Sequence, residues 1–144
     1  MVNESRTGIY EYLYNLFYGV VTENVYMMNE PQELTQSDAT DGFIVVVVGS
    51  IYDQSEFSLQ AYGFAQCFVI AYVPPISRGR LDEVKYKEFE DGINAVIENA
   101  TLDNDGTYYI QNSDILSTDT EASINSDSLF FTFAKSFIVN INES

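Results

Sequence analysis

The chain has no histidine and no tryptophan, one cysteine, and six lysines and arginines against 22 aspartates and glutamates. Each scarcity excludes something. Without histidine there can be no Ser-His-Asp or Cys-His triad, no imidazole metal ligand and no imidazole acid–base catalysis. A lone cysteine, Cys67, rules out a disulfide within the chain and leaves no zinc ligand set. Cys67 sits in an apolar stretch with no cationic neighbour in sequence, so it reads as a small buried hydrophobe rather than a reactive thiol. The net charge of −16 at pH 7 argues against binding nucleic acid through its phosphates, and equally against an anionic membrane surface. No apolar run approaches the ~20 residues of a spanning helix. The opening MVNESRTGIYEYL has no basic segment followed by an apolar core, so no secretory signal is expected. A soluble protein made in a cytoplasm follows, and the Asn-X-Ser/Thr matches at Asn3, Asn99 and Asn142 are then chance.

Chemical motifs are missing too. Gly42, Gly49, Gly63, Gly79, Gly92 and Gly106 stand singly, so no glycine-rich loop exists to cradle a phosphate. The acidic pairs Asp82/Glu83 and Glu90/Asp91 fall on helical stretches, where adjacent side chains diverge and read as solvated surface. Asp103-Asn104-Asp105-Gly106 resembles a fragment of a calcium loop, but Thr101 and Asn112 stand where the loop needs ligands, so it is read as a turn. No catalytic, cofactor-binding or metal-ligating residue is assigned, no cofactor is implied, and the chain reads as not an enzyme.

What is present is architecture. Hydrophobic residues make up 46% of 144 and aromatics 15%, with 11 Tyr and 10 Phe, enough for one domain over residues 1–144 with its own core. The stretch Gly42–Val73 dominates: GFIVVVVGSIYDQSEFSLQAYGFAQCFVIAYV is two apolar, β-branched and aromatic runs around a polar break at 53–56. It predicts an antiparallel hairpin that ends at Pro74-Pro75, since proline cannot donate into a ladder. Upstream, Ile9, Leu13, Phe17 and Val20 recur at helical spacing and predict a helix over about 4–18. A short strand is expected at Asn24–Met28. Residues 29–41 lack periodicity and read as a long exposed loop, a contact arm that orders only against a neighbour.

Downstream, Leu81, Tyr86, Phe89, Ile93, Val96 and Ile97 predict a second helix over about Arg80–Glu98, in which Gly92 marks a close approach to the sheet. Thr107–Gln111 reads as a strand, and 112–127 as a second long loop or a weakly paired hairpin. Ser128–Ile141 has the cleanest alternation: Leu129, Phe131, Phe133, Phe137, Val139 and Ile141 share one face, interrupted by Lys135. The predicted fold is α+β, a mostly antiparallel four- to five-stranded sheet with two helices packed on one face. The hairpin strands are apolar on both faces. Helices on one side do not need a second apolar face, so the excess predicts a neighbouring subunit there; if Ile44, Val46, Val48 or their alternates Val45 and Val47 are all buried within one subunit, the main physical reason for assembly is lost.

The order of these elements, from the helix GIYEYLYNLFYG through NVYMM, GFIVVVVGS, AQCFVIAYV and LDEVKYKEFEDGINAVI to the closing FFTFAKSFIVNI, resembles the tail-terminator and tail-completion (head–tail joining) proteins of long-tailed bacteriophages. The resemblance spans almost the whole chain and rests on element order, not on a motif. It implies a small α+β subunit of a ring, typically hexameric, that caps a tail tube. It also implies partners in copies of itself and in neighbouring tail or neck proteins, and a virion component assembled in the bacterial host cytoplasm. An acidic ring lining would repel DNA passing through it, and acids would equally suit a cationic neighbour. The alternative is a small soluble binding module with a groove between helix and sheet, lined by Tyr10, Tyr14, Tyr62, Tyr72 and Tyr86.

Overall fold

A computed structural model describes residues 2–29, 31–53, 62–76, 80–102, 108–117, 121–125 and 128–142. The elements run α1 (Val2–Phe17), β1 (Val25–Met27), α2 (Gln36–Asp41), β2 (Phe43–Asp53), β3 (Tyr62–Val73), α3 (Glu83–Leu102), β4 (Tyr108–Ser117), β5 (Glu121–Asn125) and β6 (Ser128–Asn142). The strands form one sheet in the order β1-β2-β3-β6-β4, with β5 also paired to β6.

The α+β class is as expected, and the β2–β3 hairpin is antiparallel with Val45 opposite Ile70 and Val47 opposite Phe68. Three details differ. The sheet is mixed rather than mostly antiparallel, because β1 pairs with β2 in parallel, Tyr26 opposite Val45. The connection between them is long enough to return the chain to the same end of the sheet, which a parallel pair requires. Among the described residues the sheet has six strands, because residues 112–127 contribute the end of β4 and all of β5, each paired to a different stretch of β6 and not to the other, so this segment forms neither the long loop nor a hairpin of its own. The described residues hold three helices, and α2 lies where the exposed loop was expected. The expected turns at 77–79 and 103–106 fall outside the described residues.

α1 and α3 cover one face of the sheet. Ile9, Leu13 and Phe17 of α1 and Phe89, Ile93 and Ile97 of α3 are buried there against Ile44, Val46, Cys67, Val69, Phe133 and Phe137. Each large apolar side chain so buried contributes about 1.5–3 kcal/mol, which is what holds a 16-residue helix that is marginal alone in water. Val20, assigned to the same stripe, falls after the helix end and is exposed. α3 starts at Glu83 because Asp82 caps it: its Oδ1 accepts the Lys85 N–H at 3.1 Å. Gly92 does mark a close approach, but to the α1–β1 connection and not to the sheet; a Cβ there would collide with Val21. Lys135, the interruption in the β6 pattern, is buried on the helix-covered side, 6% exposed.

A bulge in β2 explains how this core stays apolar. Strict alternation would put Val48 and Ile51 on opposite faces. Gly49 and Ser50 together oppose the single Gln66, so Val48 pairs with Cys67 and Ile51 with Ala65, and both face the helices. The ladder groups loosened at the bulge are taken up by α1. Arg6 forks to the carbonyls of Val48 (2.6 Å) and Gly49 (3.0 Å), and the Tyr10 hydroxyl accepts the Val48 N–H at 3.0 Å. Arg6, three residues before Ile9 and seven before Leu13, shares the sheet-facing side of α1 with the apolar stripe, which brings its guanidinium onto the bulge.

Candidate functional site: the second face of the sheet

The face away from α1 and α3 is half covered. At one end Phe43, Val45, Tyr72 and Phe130 form a second buried cluster. Phe43 stacks on Tyr72 at 4.3 Å and meets Phe130 edge-on at 5.3 Å. The cover comes from the segment expected to be an exposed arm. Leu34 packs onto this cluster, and Thr35 and Asp38 form a reciprocal capping box that starts α2. The fully buried Asp38 carboxylate accepts the Thr35 N–H at 3.0 Å and the Tyr26 hydroxyl at 2.8 Å. Burial first, then the hydrogen bond to Asp38 and its charge, push the Tyr26 phenol up to about 12. Gly42 ends α2 at φ 84, where a Cβ would lie 2.6 Å from the Tyr72 carbonyl oxygen. Asn24 Nδ2 donates to the Gly42 carbonyl at 3.1 Å and to Ser37 Oγ at 3.0 Å, tying α2 to the β1 end. Residues 31–41 are therefore ordered by their own chain, which corrects the contact-arm reading.

Of the hairpin residues on which the expectation of a neighbour rested, Ile44, Val46 and Val48 are all buried under the helices, and Val45 too is taken up internally. That side chain is only 2% exposed and is buried by its own subunit, so part of the hairpin's apolar excess is consumed internally. The remainder is not. Val47 and Ile70 are half-buried, and Phe68 is 38% exposed. The register puts Val47, Phe68 and Ser136 on one rung, Gln66 with Ile138 on the next, and Phe64 with Asn140 beyond. A groove of about 490 Å³ runs along the boundary between covered and open halves, between Met28, Pro31 and Gln32 on one side and Val45, Val47 and Ile70 on the other. Met28 is held at φ 78, a left-handed conformation that costs a non-glycine residue about 1–2 kcal/mol. Its N–H bonds the Val46 carbonyl at 2.8 Å and its side chain stays exposed.

Charge is what sets this face apart. By register and alternation, no residue of β2, β3 or β6 on it is charged, although the chain carries 22 acids and six bases. Glu121 of β5 shares the Thr132 rung at the margin. The single basic residue of β6 within the paired strand, Lys135, is on the other side.

The proposed tyrosine groove does not form. Tyr10 is buried under α1 on the helix-covered face, Tyr72 belongs to the cluster on the opposite face, and Tyr86 packs on Phe133 at 4.9 Å. The Tyr62 side chain lies outside the described residues. Tyr14 does line a helix–sheet recess of about 290 Å³ with Glu11, Asn15 and Met27, beside the three-residue edge strand β1. Cys67 is fully buried, and burial raises its thiol to about 12 against a smaller opposing effect of Arg6, so it is inert at neutral pH. The bulge and the internal cap on the second face were missed in sequence; Gly49-Ser50 and the Thr35–Asp38 spacing were the available signals.

Among the described residues no helix is long and apolar enough to cross a membrane. No protein-family model and no curated protein sequence matches the chain.

Proposed function

We propose that this chain is a structural subunit whose work is protein–protein contact, and that its place is a phage or prophage tail or neck complex, as a ring-forming tail terminator or tail-completion protein. The observation that carries the contact reading is the open half of the second sheet face: apolar at Val47, Phe68 and Ile70, with no charged residue of β2, β3 or β6 on it in a chain of net charge −16. A sheet face left to water in so acidic a protein would carry some of those acids, since strands with one solvated face alternate apolar inward with polar and charged outward. The tail assignment rests on element order and would make the protein a virion component assembled in the host cytoplasm, with copies of itself and neighbouring tail or neck proteins as partners.

The test is capture of the tagged full chain from cells carrying its genomic region, with the retained proteins identified by mass spectrometry. Recovery of the untagged chain together with tail or neck components is expected. If neither is retained, the assembly reading fails. The second reading, a small binding module, is favoured by one feature, the Tyr14–Met27 recess between α1 and the sheet edge. Glu11→Ala and Met27→Ala would abolish ligand retention under that reading and leave capture of assembly partners unchanged under the first.

A further inference from the structure

Two copies of a chain carrying −16 repel each other wherever their acids face. The open sheet face is the part of the described surface where they need not. We propose that two copies meet face to face through the open half of this sheet, and that salt controls the contact because the acids elsewhere oppose it. This goes beyond the assembly reading above, since a two-fold contact pairs copies and does not itself close a ring, and it rests on that reading for the claim that this face is a contact surface.

The partner follows from charge. A cationic partner gains nothing from a face without acids; it would be recognised by the rest of the surface. A neutral face with an apolar centre at Phe68 and neutral polar groups at Gln66, Ser136 and Asn140 is complementary to another of the same kind. In a two-fold contact each copy presents the same patch, so no residue of β2, β3 or β6 on this face meets a like charge.

The area sets the strength. Three strands spaced ~4.8 Å, over roughly eight residues of ~3.3 Å each, give about 380 Å² per copy. The total, about 760 Å², is below the ~1,000 Å² that stable specific contacts clear and corresponds to weak, transient association. At that strength the repulsion between copies decides whether the dimer forms. The sign is then opposite to that of an acid–base interface: added salt strengthens the contact instead of dissolving it.

Sedimentation velocity on the full chain tests this at about 0.02 and about 0.5 M sodium chloride, where the Debye length is roughly 20 and 4 Å. The expected result is monomer at low salt and a monomer–dimer equilibrium at high salt, with the dissociation constant falling about tenfold or more. Phe68→Glu, at a partly exposed position, should abolish the dimer at both salts with an unchanged melting temperature, and Ser136→Glu on the same rung should do likewise. Val84→Glu, on the exposed side of α3 and 71% exposed, should change nothing. A native chain that stays monomeric at high salt, a dimer that strengthens at low salt, or a Phe68→Glu variant that dimerises like the native chain would each overturn the inference. A native monomer that still captures tail or neck proteins removes this inference and leaves the assembly reading. A Phe68-dependent dimer that captures no virion component leaves the self-contact and removes the tail assignment.

Discussion

Replacing Arg6 by alanine separates the bulge clamp from the general apolar packing of α1. The guanidinium donates to two carbonyls of β2, Val48 at 2.6 Å and Gly49 at 3.0 Å, in a partly buried setting. Hydrogen bonds from a charged group are worth about 1.5–3 kcal/mol each. Part burial lets water replace some of this in the variant, so the sum should sit near the low end, a loss of about 2–3 kcal/mol. Tyr10→Phe acts at the same place on the donor side. It leaves the Val48 N–H without its acceptor in a buried position, at a cost of about 1–3 kcal/mol. The two side chains hold adjacent groups of one bulge, so the double variant should be non-additive by more than about 0.5 kcal/mol. Arg6→Lys cannot fork and should recover about half of the loss. Urea unfolding followed by far-ultraviolet circular dichroism measures all four, with the denaturant slope expected to stay constant. An Arg6→Ala variant within about 0.5 kcal/mol of the native chain would refute the clamp, because α1 would then be held by Ile9, Leu13 and Phe17 alone.

Gly92→Ala should destabilise despite a gain in helix propensity of up to ~1 kcal/mol. The new methyl group meets the short, β-branched Val21, and Val21→Ala in the same chain should restore most of the melting temperature. Asp38→Ala removes the acceptor of both the Tyr26 hydroxyl and the Thr35 N–H. Hydrogen exchange should rise across α2 first and leave α3 unchanged, whereas a uniform rise would contradict a local lock. Alkaline stability has a defined sign: both Cys67 and Tyr26 are raised to about 12 in the folded chain, from 9.0 and 10.0. The unfolded chain therefore loses these protons first, so stability is full below about pH 9 and falls between about pH 9 and 12. Cys67→Ala should move the onset of that fall toward pH 10, and an unchanged onset in a pH series of melting temperatures would count against the buried thiol.

The helices and long strands were legible because their periodicity is strong. Ile9, Leu13 and Phe17, or Phe133, Phe137 and Val139, repeat as a helix stripe and a strand face should, and all are buried. What was illegible arose where one local signal had to be weighed against distant partners. Residues 29–41 look like a loop because their apolar content is almost nil, yet one leucine, one capping box and one carboxylate suffice when Tyr26, Phe43 and Tyr72 wait beneath. The parallel β1 could not be separated from an antiparallel one, because three residues have no direction in their pattern. The bulge defeated a strict period of two, with Gly49-Ser50 its faint mark. For the contact surface, the doubly apolar hairpin was visible in sequence, but which half its own chain covers was not. The structure assigns Val45 to the interior and leaves Val47, Phe68 and Ile70 at the margin of water.

The most direct test of the central claim uses a thiol on that margin. Ser136→Cys is nearly isosteric, lies on the Val47–Phe68 rung, and adds a reactive group to a chain whose native Cys67 is buried and silent. Its maleimide labelling rate should fall as protein concentration and salt rise, because the second copy covers the position. A labelling rate independent of both would show the open face bare in solution, and the account of two copies meeting through the second sheet face would be wrong.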